Sequence, residues 1–442
     1  MSTLPLTSRL WTLLLVPVAA LLFARADGCT QTLPPVTPHV EAVQVVSSET
    51  GFRLQVDGRD FIVNGMNWDY FPRGTNYAFV PWEQPDDVIE EALEREMSLL
   101  QTAGVNAIRQ YVGIPPRWVE YIWREYGIYT ILNHPLGRYG VTIDGAWVDP
   151  TDYSDSRAQE QLVNEVREMV EQFEETPGVL MWLLGNENNY GLVWSSAETE
   201  ALPEGERDET RARWLYKTFG LATQAIKKID TLRPVAMANG DLQYMDLIAE
   251  EVPDLDIMGS NVYRGISFGD FFSAAKAGLG LPMLFTEFGA DAYNAREQRE
   301  DQLNQARFLK GQWQEIYAEA DGMGGTGISL GGLTFQWSDG WWKFRQEVNL
   351  DVQDINASWP NAAYNYDFVP GGNNMNEEWW GVMAKGPTDE RKQFELIPRA
   401  AYYTLMQVHQ FDPYAEGSDP ASLDQHFSRI DPSADALQAE QR

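Results

Sequence analysis

Two glutamates in this sequence each lie directly behind a run of apolar residues. Glu187 ends the sequence Gly-Asn-Glu after the run 179–184, and Glu287 lies in Thr-Glu-Phe-Gly after the run 283–286. A single glutamate at the end of a strand is usually a solvated or helix-capping carboxylate. Two that face each other can divide a reaction between them, because one protonates a leaving oxygen while the other attacks a carbon or activates water. Hydrolysis of a glycosidic bond requires such a pair.

A fold that brings these distant glutamates together is indicated by the pattern of the chain. Short apolar runs alternate with amphipathic helical segments, which is typical of parallel βα units. Eight such runs favour a closed barrel over a doubly wound sheet, and functional residues of a barrel lie at the carboxyl ends of its strands. We therefore predict an α/β fold, a (β/α)₈ TIM barrel, with the two glutamates behind strands four and seven. The eight candidate strands are residues 61–66, 105–109, 129–133, 179–184, 235–238, 257–261, 283–286 and 333–337.

The segments outside this pattern predict the domain boundaries. Residues 52–61 read as a β-hairpin with Asp57-Gly58 at its turn, which could close the bottom of the barrel. We expect the barrel domain to span residues 49–414. Residues 415–442 are polar and acidic with little periodicity, and predict a flexible tail.

Composition and charge exclude several classes of function. The chain has 33 Lys and Arg against 65 Asp and Glu, a formal net charge of −32. A field of that sign repels phosphate backbones and anionic headgroups, so neither nucleic acid nor a charged membrane surface is an expected partner. One cysteine and four widely spaced histidines provide no cluster typical of a metal site. We expect no metal and no cofactor, and a metal-dependent hydrolase is disfavoured on the same grounds.

The N-terminal residues predict export. The apolar run 13–23 has the length of a signal-peptide core and is too short to span a membrane. Cys29 follows in Ala-Asp-Gly-Cys, which resembles a bacterial lipobox, although the usual Leu is replaced and the Asp is atypical. We predict a signal peptide over residues 1–28, lipidation of Cys29 and a Pro/Thr-rich tether over residues 29–48. Cleavage by an ordinary signal peptidase, giving a periplasmic or secreted protein, is the alternative.

The motifs around both glutamates resemble those of a known group of enzymes. Gly-Asn-Glu at 185–187 and Thr-Glu-Phe-Gly at 286–289 are similar to the catalytic signature of clan A retaining glycoside hydrolases. Residues 56–68 and 104–109 resemble the first segment and the second strand of the TIM-barrel domain of glycoside hydrolase family 2, and the resemblance covers about residues 50 to 410. It implies a retaining hydrolase of β-linked oligo- or polysaccharides that acts through a glycosyl-enzyme intermediate.

The resemblance also implies roles for individual residues. Glu187 would be the acid/base and Glu287 the nucleophile, with Arg109 beneath Glu287 and Tyr263 donating a hydrogen bond to it. Asn186 would bind the sugar 2-hydroxyl. An arginine beside one carboxylate favours its ionised form, whereas burial without a cation raises the pKa of the other. Further substrate-binding candidates are Trp337, as the surface on which the sugar at the cleavage point would stack, His134 and Trp68; core packing is the alternative for Trp337, and a structural role is the alternative for His134.

A long aromatic segment follows the eighth predicted strand. It contains Trp341 and Trp342, and the density of aromatic side chains continues to residue 380. Long loops without obvious structure are usually functional, and aromatic faces stack on the apolar faces of sugars. We predict that residues 341–380 form positive subsites for an oligosaccharide. A satellite hydrophobic core is the alternative.

Two other functions remain open from the sequence. Family 2 enzymes carry β-sandwich domains before the barrel, whereas residues 1–48 alone precede it here, so the resemblance does not carry over a substrate. Fungal cell-wall β-1,3-glucanosyltransferases share these strand-end signatures, which makes transfer to another sugar the first alternative. A non-catalytic surface lipoprotein that binds carbohydrate is the second, although such proteins usually lose one of the two carboxylates.

Overall fold

Eight parallel strands form a closed barrel in the computed structural model, which describes residues 39–441 apart from residue 112. Each strand pairs with its neighbour along the chain, and the eighth pairs with the first to close the barrel. The predicted (β/α)₈ fold is therefore confirmed. Barrel strands 1 to 8 are Val63–Asn67, Ala107–Tyr111, Tyr129–His134, Val179–Leu184, Val235–Gly240, Ile257–Asn261, Met283–Phe288 and Ser329–Thr334.

The eighth strand begins and ends earlier than predicted. The sequence pattern placed it over residues 333–337, but the structure places it at Ser329–Thr334. Its sequence Ser-Leu-Gly-Gly-Leu-Thr lacks a continuous apolar run, and Gly331 adopts a φ of +105° where a side chain would collide with the Val63 carbonyl. Strands 8 and 1 approach so closely at residue 331 that a glycine is required there. A glycine weakens the apolar pattern from which a strand is predicted.

A small antiparallel sheet closes the amino end of the barrel. The predicted hairpin is present as Phe52–Val56 and Arg59–Phe61, with Asp57 and Gly58 at φ +48° and +74° in its turn. The hairpin's inner residues pack on the first residues of the barrel strands. A third strand, Val43–Ser47, pairs with Phe52–Val56. The prediction of a tether was therefore wrong for this strand, which buries Val43 in the same apolar cluster.

Helices surround the barrel and bury one apolar face each. In the first, Ile89, Leu93, Met97 and Leu100 form the buried stripe that the helical spacing predicts. No helix in the described part of the chain is long and apolar enough to cross a membrane. The helices around the barrel are Asp86–Thr102, Pro116–Tyr126, Ser156–Phe173, Ala197–Glu200, Glu204–Ile229, Met245–Glu251, Phe271–Gly278, Gln302–Ala318 and Ala400–Val408, with 3₁₀ turns at Pro81–Glu83, Asn188–Tyr190 and Glu377–Trp379.

The C-terminal residues are helical, so the prediction of a flexible tail was wrong. Pro420–Phe427 and Pro432–Glu440 pack on the outer helices. Leu423 and Phe427 are buried in the main core, and the Thr404 hydroxyl donates a hydrogen bond of 2.6 Å to Asp435. The acidic composition of residues 415–442 obscured a short amphipathic pattern, whose apolar residues pack in the core.

Long loops build the walls around the carboxyl end of the barrel. Residues 68–85 follow strand 1, and residues 335–399 follow strand 8. The predicted signal peptide, Cys29 and the tether residues before position 39 lie outside the described residues. Short hairpins within the loops are formed by Val141–Ile143 with Ala146–Val148, Tyr293–Asn294 with Arg299–Glu300, and Met383–Thr388 with Phe394–Pro398.

Candidate active site

Glu287 projects from strand 7 into a ring of hydrogen-bond donors. Arg109 Nη1, from strand 2, donates to Glu287 Oε1 over 2.7 Å, and the Tyr263 hydroxyl donates to Oε2 over 2.9 Å. Burial and the charge of Glu287 raise the pKa of Tyr263 well above its ordinary value, so its hydroxyl keeps the proton that it donates. Both carboxylate oxygens of Glu287 are thereby held in a fixed orientation.

Arg109 joins several strand ends around this carboxylate. Its side chain is buried, and it donates to Asn133 Oδ1 over 2.7 Å and to Asn186 Oδ1 over 2.9 Å. Nη1 also lies 3.4 Å from Asn67 Oδ1. The guanidinium therefore connects strands 1, 2, 3 and 7 with the residue next to Glu187, which fixes the relative positions of the two glutamates.

Glu187 lies in a tight turn immediately beyond strand 4. Its backbone is left-handed, with φ 55° and ψ 34°, and its N–H donates to the Ala238 carbonyl over 2.9 Å. A non-glycine residue in this region is strained and persists where the surroundings require it. Burial raises the pKa of Glu187 to about 7, and the negative charge of Glu287 acts in the same direction. A hydrogen bond with Asn261 opposes this rise.

Amide side chains link the two glutamates across the mouth. Asn186 Oδ1 accepts from Asn261 Nδ2 over 3.1 Å, and Asn261 Oδ1 accepts from the Thr286 hydroxyl over 2.7 Å. Asn186 and Thr286 are the residues immediately before Glu187 and Glu287. The chain of hydrogen bonds therefore runs through Asn261 of strand 6, from the residue before Glu187 to the residue before Glu287.

The arrangement separates the chemical character of the two carboxyl groups. Glu287 has an arginine and a phenol as direct donors, whereas Glu187 has no ion pair with a basic side chain in the described part of the chain. With a pKa of about 7, Glu187 can hold a proton at neutral pH and release it to a nearby oxygen. One fixed carboxylate and one proton donor therefore share the mouth of the barrel.

His134 does not face this mouth. Its ring is buried, Nδ1 accepts the Leu136 N–H over 3.1 Å, and Nε2 lies 3.6 Å from Glu165 on an outer helix. Burial lowers the pKa of His134 to about 4, so the ring is neutral. The prediction that it binds substrate was wrong, and the structural alternative holds. No group of three or more histidine, cysteine or acidic side chains in the described residues is placed to hold a metal ion.

Trp337 and Trp68 point away from the mouth to a shared buried carboxyl group. Trp337 is fully buried, and its Nε1 donates to Glu96 Oε2 over 2.6 Å; Trp68 Nε1 donates to the same oxygen over 3.1 Å. Neither indole therefore offers a face to a sugar, and both predictions of substrate contact were wrong in this structure. Glu96 was missed by the sequence analysis, because a glutamate on an amphipathic helix gives no sign that it is buried.

The aromatic segment after strand 8 divides into a core part and an exposed part. Tyr364 and Trp380 are buried in a satellite cluster, and Trp380 packs edge-on against Tyr263 at 5.0 Å. The alternative of core packing is thus correct for this half. Trp341 and Trp342 are partly exposed beside the loop after strand 1: the Arg73 guanidinium lies 3.7 Å from the Trp341 ring, and Trp342 contacts aromatic residues of that loop.

Three residues of the mouth were also missed. Arg138 and Tyr139 follow strand 3, and Tyr190 follows Glu187 by three residues. The Tyr139 hydroxyl accepts a hydrogen bond of 3.1 Å from Asn186 Nδ2. Their positions after barrel strands were the available signal, but polar and aromatic loop residues are too common for that signal to select these three.

Comparison with known proteins agrees with this geometry. Residues 54–322 match the profile of the glycosyl hydrolases family 2 TIM barrel domain. The chain is 27% identical to a β-galactosidase of Lactococcus lactis over 152 residues, which are 34% of this chain and 13% of that enzyme. It is 31% identical to a β-galactosidase of an Arthrobacter species over 172 residues, 37% of this chain and 16% of that enzyme.

Solved structures share the fold at low sequence identity. A β-glucuronidase of Bacteroides uniformis superposes with a TM-score of 0.53 and 16% identity, over 84% of this chain and 37% of that one. A family 2 β-galacturonidase of Eisenbergiella tayi gives 0.52 and 16%, over 85% of this chain and 55% of that one. The chain thus spans about half or less of each of these structures, and the matches to the two β-galactosidases cover less than a fifth of their length. Since the family profile covers more than half of the chain, this protein belongs to glycoside hydrolase family 2 through its TIM barrel domain.

Proposed function

We propose that this protein hydrolyses β-linked oligo- or polysaccharides with retention of anomeric configuration, using Glu287 as nucleophile and Glu187 as acid/base. The observation that carries the proposal is the contrast between the two carboxyl groups. Glu287 accepts from Arg109 and Tyr263, while the pKa of Glu187 is raised to about 7. Retaining glycosidases need one ionised and one protonated carboxyl group.

In the first step, an oxygen of Glu287 attacks the anomeric carbon. The bond from that carbon to the glycosidic oxygen breaks, and Glu187 gives its proton to this oxygen, so the leaving sugar departs as an alcohol. The sugar that remains is bound to Glu287 as an ester. The fixed donors of Arg109 and Tyr263 hold the attacking carboxylate in one orientation, which reduces the entropic cost of reaching the transition state.

In the second step, Glu187 acts as a base. It removes a proton from water, the water oxygen bonds to the anomeric carbon, and the ester bond to Glu287 breaks. The esterified Glu287 carries no charge, so one of the causes that raise the pKa of Glu187 is absent at this stage. Glu187 is therefore a better proton acceptor in the intermediate than in the free enzyme.

The test is a panel of 4-nitrophenyl β-glycosides together with β-glucans, β-mannans and β-galactans. Wild-type protein should release nitrophenol or shortened chains from at least one member. Glu287→Gln keeps the size of the side chain and removes the nucleophile, so its activity should fall by several orders of magnitude while circular dichroism shows that the protein remains folded. Glu297→Gln, the same substitution at an exposed position, is the matched control.

Two outcomes of this panel would contradict the proposal. One is a wild-type protein that cleaves none of the substrates, and the other is a Glu287→Gln protein that retains normal turnover. Product length also separates water from sugar as acceptor, since transfer would yield chains longer than the substrate.

We further propose that the protein is exported and held to a membrane by a lipid on Cys29. The apolar run 13–23 and the Ala-Asp-Gly-Cys sequence support this proposal. Such an anchor would place the enzyme at the cell envelope, where polymeric carbohydrate is accessible.

A further inference from the structure

Three large aromatic side chains are exposed on the loops that follow strands 3 and 4. Tyr139 is 56% exposed, Tyr190 48% and Trp147 64%. Burying rings of this size is favourable, so exposed aromatic side chains grouped at the mouth of a barrel need a reason. Their position close to Glu187 provides that reason.

Tyr139 and Tyr190 both contact the turn that contains Asn186 and Glu187. The Tyr139 hydroxyl accepts from Asn186 Nδ2 over 3.1 Å, and the Tyr190 N–H donates to the Glu187 carbonyl over 3.0 Å. The Tyr190 ring covers Gly240 at the end of strand 5, where a Cβ would lie 2.4 Å from the ring. Residue 240 must therefore lack a side chain for Tyr190 to take this position.

Arg138 adds a positive charge at the same place. Its side chain is half-buried, its charge lowers the pKa of Glu187, and it forms no ion pair among the described residues. The hairpin of Val141–Ile143 and Ala146–Val148 places the Trp147 ring against Gly140, which is two residues after Arg138. A guanidinium without a carboxylate partner has donors available for a ligand.

The positions of the attacking and proton-donating carboxyl groups indicate which ligand these residues would bind. Under the proposed function, on which this inference rests, Glu187 protonates the oxygen between the attacked sugar and the leaving sugar. Glu287 attacks from strand 7, across the mouth, so the leaving sugar lies on the Glu187 side, above the loops after strands 3 and 4. We propose that Tyr139, Tyr190, Trp147 and Arg138 form the subsite for the leaving sugar, a pyranose that stacks on an aromatic ring while Arg138 donates to its hydroxyl groups.

This places the leaving sugar away from the segment that the sequence analysis selected for it. Trp341 and Trp342 lie beside the loop after strand 1, and Arg73 covers one face of Trp341. Those residues are therefore on the side of the bound sugar chain that remains on the enzyme. The two aromatic groups would bind opposite ends of one substrate.

The test compares two substrates that share the attacked sugar and differ in the leaving group. One is a β-linked disaccharide of the sugar that the panel identifies, and the other is the β-glycosyl fluoride of the same single sugar, whose leaving group is too small to reach the subsite. Tyr139→Ala should lower kcat/KM for the oligosaccharide roughly tenfold to a hundredfold more than for the fluoride, by analogy with the loss of an aromatic stacking partner. Tyr139→Phe retains the ring and should keep most of the preference.

Tyr77→Ala is the matched control, because Tyr77 is 53% exposed on the loop after strand 1 and contacts Trp342. It should leave the ratio of the two kcat/KM values at the wild-type level. The subsite would be refuted, while the proposed function stands, if Tyr139→Ala lost kcat/KM equally on both substrates. It would also be refuted if the ratio of the two kcat/KM values changed in Tyr77→Ala alone. A wild-type protein that cleaves neither substrate would overturn both.

Discussion

Replacing Glu96 by glutamine should make the free energy of unfolding less dependent on pH. Glu96 lies on the helix Asp86–Thr102, is fully buried and accepts the indole N–H groups of Trp68 and Trp337. Burial raises its pKa to about 7 from an ordinary value of 4.5, although these hydrogen bonds and the charge of Arg95 oppose the rise. A glutamine of the same shape cannot ionise, so it should not respond to pH.

The sign and size of the effect follow from this shift. Between pH 4.5 and about 7 the folded protein keeps a proton on Glu96 that the unfolded chain has released. The contribution of Glu96 is therefore full below pH 4.5 and is lost as the pH rises through 7. At about 1.4 kcal/mol per pH unit, the difference between the two pKa values amounts to roughly 3 kcal/mol. The unfolding free energy of Glu96→Gln relative to wild type should rise by that amount between pH 4.5 and pH 8.

Urea unfolding followed by tryptophan fluorescence at both pH values measures this difference. Other groups with raised pKa values, such as Glu187 and Glu378, contribute equally to both proteins and cancel in the comparison. Glu94→Gln, an exposed position on the same helix, is the control and should give no pH-dependent difference. A constant difference between Glu96→Gln and wild type across this range would refute the reasoning.

Three further predictions concern charge and location. Arg109→Met leaves the Glu287 carboxylate without its ion pair and should cost about 3–5 kcal/mol of stability, and adding Glu287→Gln should restore much of the stability in urea unfolding without restoring activity. Arg138→Gln removes a charge that lowers the pKa of Glu187, so the basic limb of the kcat/KM profile should move to higher pH; an unmoved limb would separate Arg138 from the acid. Cys29→Ala should shift the protein from the membrane fraction to the soluble exported fraction on cell fractionation, and unchanged membrane association would contradict the lipid anchor.

The sequence was sufficient to predict the barrel where strand composition matched the environment. Strands 4 and 6 occupy the predicted residues 179–184 and 257–261, because strands covered on both faces are apolar throughout. The predicted position of strand 8 was too far along the chain, because Gly331 and Gly332 interrupt the apolar pattern of the strand. The C-terminal helices were missed because an acidic surface outweighed the few apolar residues, such as Leu423, that reach the core.

In the candidate site, the position of a residue along the sequence predicted which strand ends meet, but not which way each loop side chain points. Arg109, Tyr263 and both glutamates come together because the carboxyl ends of all eight strands surround one mouth of a closed barrel, including strands that are not neighbours. The direction of a side chain within a loop is not determined by that rule. Trp337 turns to Glu96, which is 241 residues away in the chain, and no local pattern encodes such a contact.

The stereochemistry of the first-formed product tests the central claim most directly. Proton NMR during the first minutes of cleavage of a β-linked substrate distinguishes the two anomers before they equilibrate in water. Double displacement by Glu287 and Glu187 inverts the anomeric carbon twice, so the β-anomer should form first. An initial α-anomer would show a single displacement and would contradict the assignment of Glu287 as nucleophile.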